Sequence, residues 1–191
     1  RKGAVPRQGH VGPSLVVESS FARVMALEGP GRAIEFVATF QAGSNQHAGF
    51  SIDLNNEPYW LIFSTGAAGA ELQARSRADA AIVETSLGAD LLGGPHAFRI
   101  EWDAAQVRYL VDGVLAATHD ISVSEPMRPM VSDFDASPNT LALQVDELAY
   151  SPYASAGTFL SRVYDGAGPQ VWTTVDYQAL IPDGTSLALA V

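Results

Sequence analysis

Apolar and polar positions alternate along much of this chain with a period of two, most regularly over residues 96–118, HAFRIEWDAAQVRYLVDGVLAAT. Phe98, Ile100 and Trp102 alternate with Arg99 and Glu101, so an extended backbone puts the apolar set on one face and the charged set on the other. A polar turn over 103–106 follows, after which Val107, Tyr109 and Val111 repeat the pattern. Asp112-Gly113 then supplies a pair whose tolerance of the left-handed region suits a tight type I′ hairpin into 114–118. The stretch predicts a meander of three antiparallel strands.

The rest of the chain extends this reading in both directions. Residues 1–13 are rich in Gly, Pro and basic side chains and predict a linker or leading arm. Short strands are predicted at 14–20 and 21–27, a turn at 28–31, and a strand at 32–40 with Ile34, Phe36, Ala38 and Phe40 on one face. Residues 48–55 alternate Phe50, Ile52 and Leu54 against Gly49, Ser51 and Asp53. The nearly continuous apolar run at 59–65 (YWLIFST) has the pattern of a central strand. Weaker strands are predicted at 72–76 and 82–87, with 77–81 between them as a loop or a single helical turn. Beyond the meander, Pro126, Pro129 and Pro138 punctuate a region with one strand at 130–134. Residues 141–150 (LALQVDELAY) have a mixed pattern that predicts a strand covered on both faces. About a dozen short strands and no amphipathic helix predict an all-β protein, an antiparallel β-sandwich.

Composition narrows the function classes. Zero cysteines exclude disulfides, thiolate zinc sites and cysteine nucleophiles without fixing the compartment. Twenty-one acidic against 11 basic residues, a net charge of −10, argue against nucleic acid as a partner, because such binding is dominated by Lys and Arg contacts to phosphate. The same charge disfavours an anionic membrane surface, and no apolar run reaches the roughly 18–20 residues needed to insert across a bilayer. The chain opens at Arg1, with neither a methionine nor a signal-type apolar stretch, and is expected to be a segment of a longer protein.

The segments RAIEFVATF (32–40), QHAGFSIDL (46–54), the meander, and LQVDELAYSPY (143–153) together resemble a known group. Residues 14–153 are similar to the concanavalin A-like jelly rolls, which include the laminin G-like domains and the laminarinase- and xyloglucanase-type glycoside hydrolases. The resemblance implies a jelly roll over 14–153. The remainder, 154–191, resembles a segment that follows such modules in large bacterial surface proteins, where a further β-unit begins. That tail predicts three strands, expected to pack on the same chain, with self-association through these C-terminal strands as the alternative.

Hydrolases of the group carry E-x-D-x-E on one strand, where alternation points all three carboxylates into a cleft. No such triplet occurs here. Asp53, Asn55 and Glu57 keep its spacing but lose the central carboxylate, and Asn55-Asn56 before Pro58 predict a turn. In SNQHAGF, Asn45, Gln46 and His47 set donors and acceptors at the mouth of a strand, as sugar hydroxyls need. With Asp53, Tyr59 and Trp60 they form the candidate ligand-binding set; the plainer reading of SNQHAGF is a polar hairpin tip. Asp133 and Asp135, in SDFDASPN, and Asp146, beside Glu147, are the candidate metal ligands, and calcium is the cation such oxygens would take. The same residues also serve simply to build turns. The four histidines show no zinc-ligand spacing, and no Ser-His-Asp order, phosphate loop or dinucleotide fingerprint is present.

Three functions follow, in order of expectation. The first is a non-catalytic carbohydrate-binding module of a secreted or cell-surface protein, with a polysaccharide or glycan as partner. The second is a structural or adhesive, fibre-forming module. The third is a polysaccharide hydrolase or lyase with an unfamiliar site.

Overall fold

The alternation over 96–118 folds as a meander: β8 (His96–Trp102), β9 (Val107–Val111) and β10 (Val114–His119) pair antiparallel in sequence order. Asp112 (φ 50°) and Gly113 (φ 78°) both occupy the left-handed region that a type I′ turn demands. The other turn is closed by the Asp103 amide donating to the Gln106 carbonyl.

The computed structural model describes residues 15–52, 58–134 and 141–151. It divides the chain into Arg1–Ser155 and Ala156–Val191, and every described residue belongs to the first unit. The predicted leading arm and C-terminal strands lie outside the described residues.

Nine further strands complete the described fold: β1 (Leu15–Val17), β2 (Ser20–Arg23), β3 (Arg32–Thr39), β4 (Gln46–Ser51), β5 (Tyr59–Ser64), β6 (Leu72–Ala78), β7 (Ala81–Gly88), β11 (Arg128–Asp133) and β12 (Leu143–Ser151). With the meander they form two six-stranded antiparallel sheets, ordered β1-β12-β3-β8-β9-β10 and β2-β11-β4-β5-β6-β7. The two sheets make a sandwich, and no helix occurs among the described residues.

The interior is filled by the apolar face of each alternating strand. Ile34, Phe36, Phe98, Ile100, Trp102 and Tyr109 from the first sheet meet Phe50, Leu61, Phe63, Leu72 and Val131 from the second, all buried. Phe63 lies at the centre, 4.8 Å from Phe98 and 5.3 Å from Tyr109 between ring centroids, geometries that add about 1 kcal/mol per pair beyond area burial. The Trp102 indole N–H is satisfied by the Val123 carbonyl at 2.9 Å. The first sheet's outer face is a ladder of ion pairs in which Arg99 bridges Glu35 and Glu101, and Arg108 meets Glu101.

Three local expectations are corrected. Residues 141–150 are not covered on both faces. The β12–β3 register slips between Val145 and Glu147, leaving Asp146 as the extra residue of a bulge. Leu143 and Val145 therefore face inward before the slip, Leu148 and Tyr150 take the inward phase after it, and Leu148 stays 37% exposed. Residues 77–81 form neither a loop nor a helical turn: β6 runs on to Ala78, and Asp79, at φ 53°, turns the chain directly into β7. The strand expected at 130–134 starts earlier, at Arg128, and contains Pro129. Its carbonyl accepts from the Val24 amide, so its missing N–H points toward the end of β2, where the ladder stops at Arg23.

Candidate functional site

Pairing registers lay out the outer face of the second sheet row by row. Phe21, Ser132, His47, Ser64, Gln73 and Ser86 stand side by side in one row across β2-β11-β4-β5-β6-β7. Arg23, Met130, Gly49, Ile62, Arg75 and Glu84 make the next, and Arg128, Ser51, Trp60, Arg77 and Ile82 the third. Alternation gives the reason: residues i, i+2 and i+4 of a strand share one face, so LQARSRA turns Leu72, Ala74 and Ser76 inward and Gln73, Arg75 and Arg77 outward.

Arg75 organises this face. Its Nε donates to Glu84 Oε1 at 2.7 Å, its Nη2 reaches the same oxygen, and its guanidinium lies over the Trp60 ring at 5.0 Å. Gln73 and Ser86 both donate to Glu71, at 2.9 and 2.6 Å, which holds the Glu71 carboxyl below its ordinary range. His47 Nδ1 lies 2.8 Å from Ser64 Oγ, which also accepts from the Gly66 amide. Burial, and then the nearby Arg75 charge, push the His47 pKa down to about 4, so the imidazole is neutral at physiological pH. A groove of about 360 Å³ opens at this end, lined by Thr65, Gly66, Glu71, Gln73, Arg75 and Glu84 among others.

Ser51, Ser64 and Ser132 are buried on this face, so what it offers to a ligand is the half-buried Gln73 amide, Arg75 guanidinium and Trp60 indole with the exposed Ser86 hydroxyl, groups suited to hydrogen bonding and stacking. A general acid needs a raised carboxyl pKa, whereas Glu71 is lowered by its Ser86 and Gln73 hydrogen bonds and Glu84 is engaged by Arg75. The three same-face polar positions of β6 are Gln73, Arg75 and Arg77, with no carboxylate among them.

The predicted residues separate in the structure. Trp60 and His47 lie on the outer face, while Tyr59, next to Trp60 but of opposite phase, packs against the core. Asn45 adopts φ 59° in the turn before β4, where its amide donates to the Gly66 carbonyl. Gln46 is fully buried: its amide nitrogen donates to Asp133 Oδ2 (3.0 Å) and the Leu141 carbonyl (2.9 Å), and its Oε1 accepts from the Gln41 amide (2.7 Å). Asp133 is buried as well and also accepts from the Leu143 amide, whereas Asp146 is the exposed bulge residue of a strand in the other sheet. Among the described residues no three His, Cys, Asp or Glu side chains converge to hold a metal ion. Asp53 and Asp135 lie outside the described residues. Gln73, Arg75, Arg77 and Glu84 were not singled out from sequence, although the clean alternation of LQARSRA was a usable signal.

No protein-family model matches the sequence, and no curated protein matches it. Similarity appears among solved structures. A Bacillus licheniformis β-glucanase is 13% identical, covering 72% of this chain and 75% of its own, with a TM-score of 0.51. A prokaryotic β-1,3-1,4-glucanase (lichenase) from a mouse hindgut metagenome is 17% identical over 70% of this chain and 71% of its own, TM-score 0.52. A Caenorhabditis elegans galectin is 10% identical over 72% of this chain and 95% of its own, TM-score 0.50. At these identities the shared property is the fold, an antiparallel β-sandwich of the jelly-roll type.

Proposed function

We propose that this chain is a non-catalytic carbohydrate-binding module whose glycan lies across the outer face of the second sheet, at Trp60, Gln73, Arg75 and the adjoining groove. The observation that carries the reading is the composition of that face: an aromatic ring flanked by hydrogen-bonding side chains, with its carboxylates already engaged. Glucanases and a galectin share the fold, which agrees with a sugar-directed role. Such a module works outside the cell, in a secreted or surface protein. Gel retardation by a panel of polysaccharides tests it: the native chain is slowed by at least one, and Trp60→Ala loses most of that retardation. Release of reducing ends or unsaturated products would instead support the hydrolase or lyase alternative.

One observation favours a structural or adhesive role as a second reading. Each of the four edge strands exposes a large apolar side chain: Val16 on β1, Leu115 on β10, Phe21 on β2 and Ile82 on β7. Exposed apolar edges invite strand-to-strand association. A solution mass that rises with concentration, and stays monomeric in a Val16→Lys/Leu115→Lys variant, would support this reading.

A further inference from the structure

In a chain of net charge −10, the outer face of the second sheet is locally basic. Its outward strand positions carry Arg23, Arg75, Arg77 and Arg128 against a single carboxylate, Glu84, and His47 among them is neutral at physiological pH. Chance placement would have given this face more acids than bases, since acidic residues outnumber basic ones 21 to 11.

Arg128 is the informative member. Its Nε is buried without a hydrogen-bond partner, and its side chain has no ion pair among the described residues. Because that Nε is enclosed, an anion can meet only the outward, half-buried end of this guanidinium, whose planar fork suits a carboxylate or a sulfate. Register then supplies geometry. Arg128, Ser51, Trp60 and Arg77 stand in one row on β11, β4, β5 and β6, so Arg128 and Arg77 lie three strand spacings apart, about 14 Å between backbones, with the Trp60 ring between them. Glu71 and Glu84 are gathered at the groove, and Arg75 is committed to Glu84. The row containing Arg128 and Arg77 holds no carboxylate.

We propose that the glycan bound here is an acidic polysaccharide, carrying carboxylate or sulfate on its sugars, with Arg128 and Arg77 receiving its anionic groups on either side of a ring stacked on Trp60. The inference rests on the binding face assigned above and adds the chemical class of its ligand. Anionic groups lie over the Arg128–Arg77 row, and neutral hydroxyls face the groove.

The test is retention of the full chain on polygalacturonate, fully methyl-esterified pectin, dextran sulfate and a neutral mixed-linkage β-glucan. Retention by polygalacturonate or dextran sulfate, weakening with added salt and exceeding that of the ester and the glucan by about tenfold, is expected. Comparing the two acidic polymers decides between carboxylate and sulfate. Arg128→Gln should weaken it by about tenfold, while Arg128→Lys, which keeps the charge but not the fork, retains part of it. The melting temperatures of both variants report whether the fold is intact. Equal retention by the ester or the neutral glucan overturns the acidic assignment while leaving a glycan-binding face in place. Retention by none of the four and by no other polysaccharide overturns both. If Arg128→Gln binds like the native chain, the role given to Arg128 is wrong.

Discussion

Gln46 and Asp133 stand directly opposite each other on β4 and β11, 87 residues apart in sequence, and the Gln46 amide donates to Asp133 Oδ2 in the interior. The same oxygen accepts from the Leu143 amide, so one buried carboxylate ties β4 and β11 to the start of β12 across the two sheets. Gln46→Ala removes a charge-assisted partner and leaves the Leu141 carbonyl and the Gln41 amide short of one as well. The expected loss is about 3 kcal/mol in urea-induced unfolding. A loss below about 1 kcal/mol would place this bond outside the folded state's essential set.

Among the described glycines, Gly49 leaves the least room for a side chain. A Cβ built on it would lie 2.2 Å from the Leu61 carbonyl oxygen and 2.8 Å from Ile100 Cδ1, at φ 152°. Gly49→Ala must force β4 away from β5, and a loss of about 3 kcal/mol or outright failure to fold is expected. Circular dichroism melting checks it; an unchanged midpoint would show that the strands do not approach this closely.

His47 sets a pH dependence of definite sign. Its folded pKa, about 4, lies below the ordinary 6.5, so the unfolded chain takes the proton first. Its contribution is therefore neutral above pH 6.5, and stability falls as the pH drops from there to about 4, by up to about 3 kcal/mol. His47→Gln should flatten that part of the curve relative to the native chain when unfolding free energies are compared across the window. Parallel curves would mean that the imidazole is solvated.

Tyr109 anchors a buried polar relay between the sheets. One proton arrangement satisfies every member: Thr85 donates to His119 Nε2, His119 Nδ1 to Ser76, Ser76 to the Tyr109 oxygen, and Tyr109 to the Arg75 carbonyl. It requires a neutral His119, and burial lowers that pKa in agreement. Tyr109→Phe strands the Arg75 carbonyl and the Ser76 proton and should cost about 2 kcal/mol, read as a lowered urea midpoint at constant slope. A change in slope instead would mean that the denatured state had altered.

What was legible in the sequence followed the range of the interactions. The meander could be read because alternation in Phe98, Ile100 and Trp102 and the turn at Asp112-Gly113 are set by neighbours in the chain. The bulge at Asp146 could not, because the slip is defined against β3, its neighbour in the sheet but far earlier in the sequence, and it interrupts the alternation along that strand. Pro129 suggested a break, and only the early end of β2 made it tolerable inside a strand. The candidate site was half legible for the same reason. Trp60, His47, Tyr59 and Gln46 are equally suitable in chemistry, and only strand phase and the Asp133 partnership assign Tyr59 and Gln46 to the interior. The rows that bring Arg128 and Arg77 to either side of Trp60 depend on pairings among four strands.

The central claim, that a glycan lies on the outer face of the second sheet, is tested most directly by following amide and indole N–H resonances of the isotope-labelled chain. The titrant is a soluble oligosaccharide of whichever polysaccharide retains the protein. The account predicts saturable shifts of the Trp60 indole and of the Gln73, Arg75 and Arg77 amides. Arg99, Glu101 and Arg108, on the first sheet's outer face, should stay unmoved. Shifts confined to the first sheet or to the edge strands, with Trp60 silent at saturation, would contradict it.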